Sequence, residues 1–166
     1  MLWLMPDPTG PLTTWDAEPE SLFSWRFSVR EQGHEITSLV PSWILDRATF
    51  AWQGQTCRIG AQSLLHTGYV LSADGRTVAT AERPTPFHRG FTIRSDGLTL
   101  LLRPRRLFSR GFTVTDASGR EVGAIMPAGW FTRRCRLEFA LEVPPPLRLF
   151  MLALVLFLRR RQRSAR

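Results

Sequence analysis

From Phe23 onward, apolar and polar residues alternate along much of the chain. Phe23, Trp25, Phe27 and Val29 fall on one side, with Ser24, Arg26 and Ser28 between them. A period of two predicts a half-buried strand. Gly33-His34 reads as a turn, Ile36–Val40 as a second strand, and Phe50–Trp52 and Gln55–Ile59 as a hairpin closed by Gln53-Gly54. The punctuation then becomes regular. Ala73-Asp74-Gly75, Ser95-Asp96-Gly97 and Ala117-Ser118-Gly119 each separate two apolar runs. Glycine supplies the positive φ of a tight hairpin and aspartate tolerates it, so Asp74, Asp96 and Asp116 are assigned to turns. The flanking strands are Thr67–Ser72 with Thr77–Glu82, Phe91–Arg94 with Leu98–Leu102, and Phe112–Thr115 with Glu121–Ile125. A last strand, Phe131–Val143, points Cys135, Leu137, Phe139, Leu141 and Val143 inward and Arg134, Arg136, Glu138 and Glu142 outward. Residues 1–20, rich in proline and acids, predict an irregular arm with one short strand at most, near Leu2–Leu4.

The alternation stops at Pro144–Pro146, and an unbroken apolar run follows from Leu149 to Leu158. Proline suits the first turn of a helix and cannot continue a strand. Leu, Met, Ala and Arg are good helix formers, and Arg159, Arg160, Arg161, Arg163 and Arg166 stand where the helix dipole favours cations. Ten helical residues rise about 15 Å, half of the roughly 30 Å of bilayer hydrocarbon. The run is apolar on every side, so protein or lipid must surround it. The length favours burial, with Leu149, Phe150, Leu152, Leu154, Val155, Leu156 and Phe157 as the centre of the core. A tail anchor using residues 147–158 is the competing expectation.

The turn sequences repeat weakly. Gly75-Arg76-Thr77-Val78-Ala79 returns as Gly119-Arg120-Glu121-Val122-Gly123, and Gly90-Phe91-Thr92-Ile93 as Gly111-Phe112-Thr113-Val114. Repeating hairpins suggest a sheet that curls back on itself. Hairpins followed by one wholly apolar helix resemble the tubby C-terminal-like superfamily, which includes phospholipid scramblases and LURP-one-related proteins. The residues that carry the resemblance are the hairpin Phe112–Ile125, the strand ending at Val143, the prolines, and Leu147–Leu158 with the arginines after it. Small bacterial proteins of this type end in the same way. The resemblance implies a mainly β fold: a closed antiparallel barrel of about twelve strands around one hydrophobic C-terminal helix, about 147–162, with residues 21–166 as a single domain. For function it implies binding of an anionic lipid through exposed basic residues, as in tubby proteins, or association with membranes, as in scramblases; the family's lipid-binding residues do not carry over, because no local motif lines up with them. Calcium control does not carry over, because no Asp-x-Asp-x-Asp loop occurs.

Charge sharpens that expectation. The 166 residues carry a formal +8, distributed as −4 over residues 1–82 and +12 over residues 83–166, and every basic side chain besides histidine is arginine. Arginine forks onto phosphate and carboxylate oxygens, so the basic half favours anionic partners. Arg103, Arg105, Arg106 and Arg110 form one cluster, and Arg133, Arg134 and Arg136 another. Arg103, Arg105, Arg106, Arg110, Arg133 and Arg134 are the candidate anion or lipid ligands, with Phe108 or Trp130 at an interface. The tail arginines join them or serve only as helix-terminal charges. Solvated loop and strand faces are the plainer alternative.

Little else suggests chemistry. Cys57 and Cys135 form no CxxC and no disulfide framework, consistent with a reducing compartment. His34, His66 and His88 have no metal-ligand spacing, and no GxSxG, Walker A or GxGxxG is present. No catalytic residue, metal site or cofactor is therefore expected. Met1–Met5 lacks the basic start of a signal peptide. The sequence thus points to a cytoplasmic protein at the inner face of a membrane, with anionic phospholipid as partner. Nucleic acid is a weaker candidate, because aromatics do not interleave with the arginines in a stacking platform. A scaffold without a small ligand is a further alternative.

Overall fold

The computed structural model describes residues 11–42, 44–106, 110–129 and 132–165. Twelve strands form one closed antiparallel barrel: β1 Leu12–Pro19, β2 Phe27–Glu31, β3 His34–Ser42, β4 Arg47–Trp52, β5 Gln55–Ala61, β6 Gly68–Ala73, β7 Arg76–Glu82, β8 Phe91–Ser95, β9 Leu98–Pro104, β10 Phe112–Asp116, β11 Glu121–Pro127 and β12 Cys135–Ala140. Each strand pairs with its neighbours in sequence, and β1 closes the ring by pairing with both β2 and β12. Closure leaves no exposed sheet edge.

Helix α1, Pro145–Ser164, fills the interior. About eight strands enclose a space that side chains alone can fill. Twelve leave a wider one, and a helix about 10–12 Å across suits it. Every residue from Leu147 to Leu158 is buried, and the strands turn Val29, Leu39, Ile59, Leu71, Ile93, Leu102, Val114 and Leu137 into the same core. Each large apolar side chain on the helix contributes about 1.5–3 kcal/mol of gross burial energy. No helix among the described residues is long and apolar enough to cross a membrane. The tail-anchor expectation is therefore corrected: the apolar run is covered by its own barrel.

Three of the four two-residue turns stand where the sequence places them; the first lies at Gln32-Gly33, one residue before the expected Gly33-His34, because His34 already opens β3. Gln32-Gly33, Gln53-Gly54, Asp74-Gly75 and Asp96-Gly97 have positive φ at both positions, the two-residue geometry whose twist matches the strands. The repeat also has a structural counterpart. Hairpins β2–β3, β6–β7 and β10–β11 each carry a bulge that leaves one residue without a partner, Ile36, Val78 and Val122 in turn. Gly123 allows β12 to pack closely, because a Cβ there would lie 2.3 Å from Phe139 Cδ1.

Three further expectations change. The irregular arm gives way at Leu12 to β1, with Trp15 and Ala17 buried; the Leu2–Leu4 strand lies outside the described residues. Phe23 and Trp25 do not join the inward row, since β2 starts only at Phe27 and both side chains are exposed. The last strand ends at Ala140, so Leu141 is turned outward while Val143 returns to the core. The start of that strand at Phe131 lies outside the described residues.

Candidate functional site: an arginine-lined cleft at one end of the barrel

The antiparallel meander sorts its connections onto two ends. The short turns and the start of α1 share one end. The longer connections, 20–26, 43–46, 62–67, 83–90, 105–111 and 128–134, share the other with the C-terminus of α1. Several are pinched at the base by a backbone hydrogen bond: Glu20 to Arg26, Gln62 to Gly68, Arg105 to Gly111 and Ala128 to Arg134. Those six connections and residues 159–165 hold 12 arginines against two acids, Glu20 and Asp46.

A cleft of about 310 Å³ opens here between the last turns of α1 and the connections 20–26, 105–111 and 128–134. It lies at the lower end of ligand-pocket sizes, roughly 300–1,000 Å³. Phe27, Pro127 and Leu156 give it an apolar floor, and Arg110, Arg133, Arg159, Arg160 and Arg163 surround them; among the described residues the lining holds no carboxylate or histidine. The helix C-terminus contributes about half a negative charge, which five guanidiniums outweigh.

The arginines differ in their engagement. Arg133 is a clamp: Nη1 donates to the Ser24 carbonyl at 3.0 Å, and Nη2 to those of Ser21 at 3.0 Å and Leu22 at 2.6 Å. Its guanidinium lies 5.4 Å from the Trp25 ring centroid. Arg159 ties the helix to the wall, with Nη1 2.9 Å from Cys135 Sγ and Nη2 donating to the Arg110 carbonyl at 3.0 Å. Its Nε is buried without an acceptor among the described residues. Burial raises the Cys135 thiol above its ordinary pKa although Arg159 opposes the shift, so the sulfur stays protonated at neutral pH. Arg163 is exposed, and Arg110 and Arg160 complete the cationic rim.

A buried polar cluster lies at the same end. The buried Asp46 carboxylate accepts from the Tyr69 hydroxyl at 3.0 Å, pairs with Arg161 of α1, and lies 3.2 Å from His66 Nδ1. Burial, then the Asp46 charge, pushes Tyr69 up to about 12. The buried Arg83 donates from Nε to the His66 carbonyl at 2.8 Å and from Nη1 to that of His88 at 3.0 Å. At the opposite end, buried Arg148 donates to the carbonyls of Val143 at 2.8 Å and Ala140 at 3.3 Å, under the Trp15 ring. Burial lowers its pKa.

The predicted ligand set is therefore divided. Arg110 and Arg133 line the cleft. Arg103 projects from the outer face of β9; Arg105 and Arg106 are exposed beside it, and Arg134 pairs with Glu18 at 3.4 Å. Those four are not brought to the cleft. Arg159, Arg160 and Arg163 are, through the return of the helix. Phe108 and Trp130, the expected interfacial aromatics, lie outside the described residues. Sequence proximity had no signal for this grouping, nor for the Asp46–Tyr69–Arg161 cluster, whose members are scattered along the chain. No family model and no curated protein matches the sequence.

Proposed function

We propose that this protein is a non-catalytic barrel of the tubby, scramblase and LURP-one-related type that binds an anionic ligand, a phospholipid headgroup at the inner face of a membrane. The observation that carries the reading is the cleft: five arginines over an apolar floor, with no acid among the described residues that line it. Guanidinium forks match phosphate oxygens, and a part-buried site screens the attraction less than open water does. The barrel-around-helix architecture is the fold that the resemblance implies.

Vesicle flotation tests the proposal. The protein floats with phosphatidylcholine vesicles that contain phosphatidylglycerol, and much less with phosphatidylcholine alone. Raising salt from 0.05 to 0.5 M weakens binding, and Arg160→Gln with Arg163→Gln lowers it about thirtyfold, near 1 kcal/mol for each arginine removed from an anionic surface. Binding indifferent to lipid charge and to both substitutions overturns the proposal.

A further inference from the structure

The end that carries the cleft also carries most of the exposed apolar surface. Ten large apolar side chains are exposed among the described residues, and eight lie on its connections: Leu22, Phe23 and Trp25; Ile44 and Leu45; Leu64 and Leu65; Phe87. Leu22, Phe23, Ile44, Leu64 and Phe87 are 87–93% exposed. Scattered exposed apolar residues are ordinary; a concentration on one face marks an interaction surface.

These tips are held out by the fold. Arg133 binds three carbonyls of the connection bearing Leu22 and Phe23. Arg83, itself buried, ties the connection bearing Leu64 and Leu65 to the one bearing Phe87. Pro84 and Pro86 restrict the backbone just before Phe87, and the His88 amide donates to Thr85 Oγ1 at 3.2 Å. Ordered loops thus present oily side chains to solvent, a preorganised arrangement suited to binding.

The geometry points to end-on docking on an anionic bilayer, with Leu22-Phe23, Ile44-Leu45, Leu64-Leu65 and Phe87 entering the boundary between headgroups and acyl chains. This rests on the lipid reading of the cleft and adds a separate contact. Charge complementarity identifies the occupant. The tips stand on four connections of an end with 12 arginines and two acids, and one of those acids, Asp46, is paired internally with Arg161. A bilayer offers both matching layers, apolar depth for the tips and phosphates for the guanidiniums. A protein interface instead gathers its apolar residues into a continuous, shape-matched core, whereas these tips are divided among four separate connections.

The test uses the full chain and the quadruple variant Phe23→Ser, Ile44→Ser, Leu64→Ser, Phe87→Ser, whose exposed sites leave the core intact. Three measurements are made: surface-pressure rise on a phosphatidylcholine–phosphatidylglycerol monolayer, partition onto vesicles of the same lipids, and binding of soluble glycerol phosphate. Wild type raises the surface pressure. The variant abolishes the rise and loses at least about tenfold in partition, with unchanged thermal unfolding and unchanged glycerol phosphate affinity. No pressure rise by wild type, or wild-type partition by the variant, overturns insertion; if glycerol phosphate still binds, the cleft reading survives alone. Loss of both glycerol phosphate and anionic-vesicle binding in wild type removes the two together. A wild-type dimer that dissociates in the variant without a change in vesicle partition assigns the tips to self-association and also overturns the inference.

Discussion

The two ends of the barrel share one core and one helix, yet they are built to different requirements. At the end where α1 begins, four connections are two-residue turns, and the other two span residues 117–120 and 141–144. Those six segments hold three acids and one arginine, and Asp116, just before one of them, takes the amides of Ser118 and Arg120. The opposite end has longer connections, 12 arginines and nearly all the exposed oily tips. Turn geometry sets register and curvature at the first end, so composition there answers to folding. The second end is released from that demand, and surface loops on a rigid scaffold are where binding residues concentrate.

The largest effects should be blind to this division. Phe150 and Phe157 lie on the same buried helix, toward opposite ends of the apolar run. Phe150→Ala and Phe157→Ala should each destabilise the fold by about 3–5 kcal/mol in urea titrations. A large loss from one and none from the other would mean that the helix is a plug at one mouth only.

Next come the buried ion anchors. Arg148→Ala leaves the Val143 and Ala140 carbonyls without their donor, and should remove about 1–3 kcal/mol while leaving vesicle binding intact. Arg160→Gln with Arg163→Gln should do the reverse, reducing anionic-lipid binding with stability changed by less than about 0.5 kcal/mol. If Arg148→Ala weakens lipid binding beyond its effect on the folded fraction, the functional division between the ends fails.

A smaller effect comes from a tight turn. Gly75 has φ +80°, a conformation strained for any residue with a Cβ, so Gly75→Ala should lower stability by about 1 kcal/mol without altering lipid binding. The last prediction concerns pH. Tyr69 is the sole tyrosine, and its folded pKa of about 12 lies above the ordinary value of 10. The unfolded chain loses its phenolic proton first, so this contribution is complete below about pH 10 and falls as pH rises toward 12. Tyrosinate absorbance should therefore appear with unfolding, and Tyr69→Phe should flatten the alkaline loss of stability.

Legibility followed the same division. Three of the four two-residue turns were readable because positive φ favours Gly and Asp, the first being displaced by one residue where Gln32 takes that conformation, and the helix was readable because ten apolar residues admit few environments. β1 was hidden because only Trp15 and Ala17 point inward from a segment rich in proline and acids. Phe23 and Trp25 continued the period of Phe27 and Val29, and periodicity does not mark where a strand begins. The cleft was half visible. Arg110 and Arg133 were selected by local clustering, but Arg103 and Arg134 were too, and Arg103 sits on the outer face of β9 while Arg134 pairs with Glu18. Only the return of α1 through the barrel brings Arg159, Arg160 and Arg163 to the same opening, a juxtaposition set by topology.

The central claim is that the arginine-rich end is the anion-binding end. Titrating the full protein with soluble glycerol phosphate while following its backbone amide resonances tests this most directly. Shifts gathered at residues 20–27, 110, 132–135 and 156–164, with the turns at 32–33, 53–54, 74–75 and 96–97 unmoved, are the predicted result. Shifts centred on the outer face of β9 around Arg103, or at the tight-turn end, would contradict it.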